Sequence, residues 1–177
     1  MLVGRAIVLA FGIAVLSPLN AVAAPAEISD VIHTDTPFGQ GPYRFLLVTA
    51  YTAQLWTDAS HWSVDVPFAL TLDYKMHFST DEMVSRTREE MKHVDPGLSD
   101  DAISAYAERL KQAFPPVGPG DRITALNVPG APTRFYRDGV LTATIDDPKM
   151  NADFFGIWLS PRSSAPALRA ALVRTGG

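Results

Sequence analysis

Residues 68–94, FALTLDYKMHFSTDEMVSRTREEMKHV, change period once, and the change separates a strand region from a helix region. Phe68, Leu70, Leu72 and Tyr74 alternate with Ala69, Thr71, Asp73 and Lys75. That period of two predicts a strand with one buried face and one mostly wet face. Beyond it, Ser79 and Glu82 have the spacing of a capping box. Met83, Thr87, Met91 and Val94 then fall on one helical face, opposite Arg88, Glu89 and Lys92.

Downstream, Asp95-Pro96-Gly97 ends the helix, and Ser99 opens a second one whose first turn carries Asp100 and Asp101. Its inner stripe is Ile103, Tyr106, Leu110 and Phe114, and Pro115-Pro116 stops it. Strands are expected over 122–128, 133–136 and 140–145, the last two joined at Asp138-Gly139, a hairpin signal. Pro148 fits the first turn of a helix through Met150, Phe154, Phe155 and Trp158, and Pro166 opens a last helix ending near Val173. Upstream, residues 43–56 (YRFLLVTAYTAQLW) hold enough apolar and β-branched residues for two strands. Ile28 to Ile32 is a short apolar run expected to form a first strand. Strands, a helix pair, more strands and a second helix pair make an α+β fold with an antiparallel sheet.

The amino end has the three parts of an export signal: Arg5, the apolar run Ala6–Leu16, and the small residues Ala21 and Ala23 at −3 and −1. The run is far short of the ~20 residues a membrane-spanning helix needs. Residues 1–23 are therefore expected to be a cleavable signal peptide, with residues 24–177 a single periplasmic or secreted domain and no stable membrane insertion after cleavage. The chain of 177 residues is 47% hydrophobic and carries a formal charge of −4. Losing Arg5 makes that −5, a poor match to nucleic acid, whose binding rests on neutralising phosphates. It also provides no polybasic patch for an anionic membrane. There is no cysteine, so thiol catalysis, disulfides and covalent haem attachment are excluded.

No G-x-S-x-G elbow, P-loop, G-x-G-x-x-G helix start or H-E-x-x-H motif is present. His33, His61, His77 and His93 are scattered, and Asp146-Asp147 before Pro148 reads as a helix cap. On the first helix, Glu82 caps and Glu89 is on the wet face, whereas Glu90 borders the apolar stripe. Arg44 opens an apolar strand and, on strict alternation, shares a face with Leu46, Val48 and Ala50. Either it is buried there with a partner or a ligand anion, or it sits at the strand end and reaches water.

Several segments, in their order and spacing, resemble the bacterial chalcone isomerase-like family from about Ile32 to Val173. They are Gly41-Pro-Tyr-Arg44, Val48 to Trp56, Phe68 to Tyr74, Gly120-Asp121-Arg122, Phe135 to Gly139, and Asp147-Pro148 through Leu159. The resemblance implies an open-faced sandwich, an antiparallel sheet covered by helices with a cleft between them. The plant enzyme of this fold closes a chalcone to a flavanone with an arginine, a threonine, a tyrosine, a lysine and an asparagine. Those positions fall on Thr34, Leu46, Met83, Arg86 and Glu90, and of these Arg86 alone keeps the charge.

Relatives without that set include fatty-acid binders, and some bind haem. The resemblance thus implies a non-catalytic protein whose cleft, lined by Leu46, Val48, Tyr51 and Met83, takes an apolar acid. Arg44 or Arg86, near Glu90, would meet the carboxylate. A non-covalent haem would look to His77, and no cofactor is otherwise expected. The other function classes are an isomerase or lyase acting on an unsaturated substrate and an envelope interaction module without a ligand.

Overall fold

The computed structural model describes residues 23–174; the expected signal peptide lies outside the described residues apart from Ala23. Six strands follow one another across a single antiparallel sheet, each paired with its predecessor. They are β1 (Gly39–Phe45), β2 (Val48–Trp56), β3 (Phe68–Tyr74), β4 (Arg122–Asn127), β5 (Thr133–Arg137) and β6 (Val140–Ile145). Between β3 and β4 stand α1 (Thr80–Val94) and α2 (Asp100–Ala113), and after β6 come α3 (Pro148–Leu159) and α4 (Pro166–Val173). This is the α+β open sheet with helices that the change of period predicts.

The helix starts are where the sequence puts them. Ser79 accepts from the Glu82 amide at 3.3 Å while the Glu82 carboxylate accepts from the Ser79 amide at 2.7 Å, closing the capping box. Ser99 caps α2 through the Ala102 amide, and Asp147 caps α3 through the Met150 amide. The helices cover one face of the sheet, where Leu55, Leu70, Met91, Leu110, Phe135 and Phe154 form the main core.

Three expectations need correction. Ile28–Ile32 is not a strand: Ala26–Ile28 is one 3-10 turn, and the segment lies flat across the sheet's other face. There Ile28 and Ile32 pack with Trp56, Ala69, Leu126 and Tyr136 in a second apolar cluster. For that reason the back of β3 is dry. Ala69 and Thr71 are as buried as Leu70, and Thr71 accepts from the Trp56 indole N–H at 3.2 Å while donating to Gln54 at 3.1 Å. Glu27 fixes the cover, accepting from Thr124 at 2.7 Å with Arg122 3.5 Å away. Third, the strict alternation along 43–50 fails. The register shifts by one between Tyr43 and Arg44, and Leu46 takes a left-handed φ of 55° in the two-residue turn to β2.

Candidate functional site

The register of the first three strands sets three tyrosines side by side. Tyr43 pairs with Tyr51, and Tyr51 with Tyr74. The Tyr43 and Tyr51 rings stack at 4.9 Å, Tyr74 meets Tyr51 edge-on at 5.7 Å, and Phe78 extends the file by another 5.7 Å. Aromatic rings prefer these offset and edge arrangements. Above the file, the inner face of α1 and the end of α3 leave a cavity of about 280 Å³. It lies near the small end of the ~300–1,000 Å³ range of ligand pockets. Met83, Phe114, Ile157 and Met76 contribute apolar wall, and Phe45 stands in the wall while 62% exposed, which puts it at the mouth.

Four of the cavity's polar groups form one connected string. Ser164 donates to Glu90 Oε2 at 2.6 Å, and Arg86 Nη2 meets Glu90 Oε1 at 2.5 Å. The same Arg86 nitrogen donates to the Tyr43 hydroxyl at 3.3 Å, and Nη1 reaches Glu89 at 3.3 Å. Glu90 is buried, and a carboxylate is held there because a cation and a hydroxyl meet it. Burial alone would lower the Arg86 guanidinium, but Glu90, Tyr43 and Glu89 outweigh it and keep the charge more firmly than usual.

Tyr51 is the other polar centre. Its hydroxyl accepts from the Trp158 indole N–H at 3.0 Å, and among the described residues its own proton has no acceptor. Burial pushes the Tyr51 phenol far above its ordinary range despite the Trp158 bond, and burial does the same to Tyr74. Both are neutral donors at any physiological pH. Chemically, the cavity offers an apolar trough with phenolic donors and one guanidinium shared between two carboxylates.

Of the residues singled out in the sequence, Tyr51, Met83, Arg86 and Glu90 all line this cavity. Arg44, Leu46 and Val48 do not. Leu46 is 84% and Val48 53% exposed, at the tip of the β1–β2 hairpin, so the cleft they were expected to line is built by other residues. Arg44 alternates with Tyr43 and Phe45, which do line the wall, and Leu46 and Val48 are carried to the tip by the turn and by the extra residue, Ala50, on β2. Arg44 itself is exposed, which resolves its two readings in favour of the strand end reaching water. His77 follows β3 rather than lying on it, and its ring rests against Gly118, outside the cavity wall. Thr34 is held beside Asp58, whose carboxylate accepts from its amide at 2.8 Å, also outside the wall.

Tyr43, Tyr74, Trp158 and Ser164 were missed. For Tyr74 a signal existed, since it shares the buried phase of β3 with Leu72 and Leu70. For Ser164, in the turn before α4, there was none.

No curated protein matches the sequence. A family model described as chalcone isomerase-like matches residues 45–173, well over half of the chain. Among solved structures, the chain is similar in fold to the crystal structure of an Arabidopsis thaliana fatty-acid binding protein. The TM-score is 0.56 at 9% identity, over 78% of this chain and 86% of that one.

Proposed function

We propose that this chain, which belongs to the chalcone isomerase-like family, is a non-catalytic binder that takes an apolar acid of the fatty-acid class into its cavity. The observation that carries the reading is the division of the cavity. An apolar trough runs under α1, while Arg86, Glu90, Tyr43 and Ser164 form one bonded string at its wall. A tail would lie along Met83, Phe78 and Phe114, and a carboxylate would accept from Tyr51 and Arg86. The fatty-acid binding protein of similar fold supports the ligand class. Against isomerase chemistry stand Met83 and Glu90 in the wall and Thr34 and Leu46 outside it, where the plant enzyme places donors that stabilise its transition state. We further propose that the protein works after export, as a mature chain beginning at Ala24.

Displacement of a fluorescent fatty acid from the purified protein tests the ligand. Losing a charge-assisted bond of about 1.5–3 kcal/mol makes Arg86→Met weaken binding by about ten- to a hundredfold. Met83→Glu abolishes it by charging the tail wall, and Arg88→Met on the outer face of α1 leaves it unchanged. No saturable binding at micromolar ligand, or wild-type binding by both Arg86→Met and Tyr51→Phe, would sink the reading. Saturable cyclisation of a chalcone above the uncatalysed rate would sink its non-catalytic part. Amino-terminal sequencing of protein recovered after export decides the start at Ala24.

A further inference from the structure

The tip of the β1–β2 hairpin exposes four consecutive apolar residues: Phe45 at 62%, Leu46 at 84%, Leu47 at 98% and Val48 at 53%. Leu46 is not there for the turn's sake. A positive φ in a two-residue hairpin turn is a position for glycine or asparagine, and Leu46 holds it at 55°. The tip is also convex. A partner protein would need a matching groove, whereas lipid accepts a protruding apolar knob of any outline.

Charge points the same way. Arg44 pairs across β1–β2 with Thr49, and the Lys75 amide donates to Ala50 at 2.8 Å, so the two cations flank the strand just behind the tip. Both side chains are exposed, and among the described residues neither forms an ion pair. No acidic residue falls between Asp35 and Asp58, and the half-buried Asp73 lies close enough to Lys75 to feel its charge, which leaves Arg44 the less compensated of the two cations. Two cations do not amount to a polybasic patch, so the apolar tip carries the contact, and Arg44 and Lys75 behind it add reach to headgroup phosphates. Phe45 belongs both to this tip and to the cavity mouth.

We infer that the Phe45–Val48 tip is a peripheral docking site for a lipid bilayer and holds the cavity mouth against the membrane surface. The contact is shallow and reversible, since among the described residues no helix is long and apolar enough to span. It stands on the exposed tip and its two cations, and does not require that the cavity hold a fatty acid.

Flotation of the purified protein with phosphatidylcholine vesicles, with and without phosphatidylglycerol, tests it. The expected result is association with both, stronger with phosphatidylglycerol. Replacing both leucines (Leu46→Asn with Leu47→Ser) reduces association by about tenfold or more, because each removes an apolar side chain from the lipid. The same variant melts no lower than wild type, since asparagine suits the turn, and binds fluorescent fatty acid in vesicle-free solution as wild type does. Arg44→Met removes part of the preference for phosphatidylglycerol and leaves association with phosphatidylcholine unchanged. Absence of vesicle association, or association indifferent to the leucine replacements, overturns the proposal. So does a tip-dependent dimer in sedimentation without vesicle binding, which would assign the tip to a second copy. Loss of fatty-acid binding with vesicle association intact would instead count against the cavity reading alone.

Discussion

Glu90 is the residue on which the site's electrostatics turn. It is buried, shares Arg86 with Glu89, and receives a short bond from Ser164. Removing the cation strands a buried carboxylate, so Arg86→Met should cost about 1–2 kcal/mol, the lower part of the usual range because Arg86 is half exposed. Adding Glu90→Gln should recover most of that loss, which a double-mutant cycle of denaturant unfolding would read as coupling. If the single and double variants are equally unstable, the pair is not coupled as described. For ligand the sign reverses. Two carboxylates already occupy Arg86, so Glu90→Gln alone should tighten binding of an anionic head group several-fold in the displacement assay. At this scale the sequence was partly legible. Arg86 and Glu90 are four apart on one helix, and Glu90 borders the apolar stripe. Arg44 faces away from the cavity because it alternates with Tyr43 and Phe45, which line it, whereas the extra residue Ala50 on β2 breaks the alternation across the hairpin and no residue type marks it.

At the level of elements, the helices could be read almost to the residue because their caps are written in short-range side chains: Ser79 with Glu82, Ser99, and Asp147 with Pro148. The 3-10 turn at Ala26–Ile28 could not. Its two isoleucines look like strand until the back of the sheet is there to receive them, and that is a long-range contact. The seat of α4 on β1 is equally hidden, although its requirement is visible once known. A Cβ on Gly39 would fall 2.1 Å from the Leu172 carbonyl oxygen and 2.5 Å from that of Ala171. Both are backbone atoms, so neither can swing aside. Gly39→Ala should therefore force α4 off the sheet or distort β1, at about 1–3 kcal/mol. Thermal unfolding checks this, and an unchanged midpoint would mean that α4 is not seated so closely. Ser79→Ala, which removes half of the capping box, should cost about 1 kcal/mol.

Across the whole molecule, several carboxylates tie loops to the frame. The Gly118 amide and Arg137 hold Asp121 below the usual carboxylate range, Lys149 and the Gly97 amide do the same for Asp95, and the Ser79 amide and hydroxyl for Glu82. A group whose pKa falls on folding stabilises above its unfolded value, about 4, and loses that contribution as pH drops through its folded value. Asp73, raised by burial, acts in the opposite sense and offsets part of the loss. The melting temperature should therefore be flat near neutrality and fall below about pH 4, with a shallower fall in Asp121→Asn. Equal acid sensitivity in that variant would remove Asp121 from the account. Fold class was the most legible level, because the change from period two to helical period at Ser79 and the return to strands at Arg122 depend on local pattern alone. The strictly sequential strand order has a further consequence, for how the chain is born. Each strand can dock on the one made just before it, so the sheet is free to grow outward as the polypeptide emerges. The last helix breaks that rule by returning to the first strand. Until Pro166–Val173 has been synthesised, the apolar face of β1 and β2 that Leu168 and Leu172 will cover stays open to non-native contacts, although the six strands beneath it are already made.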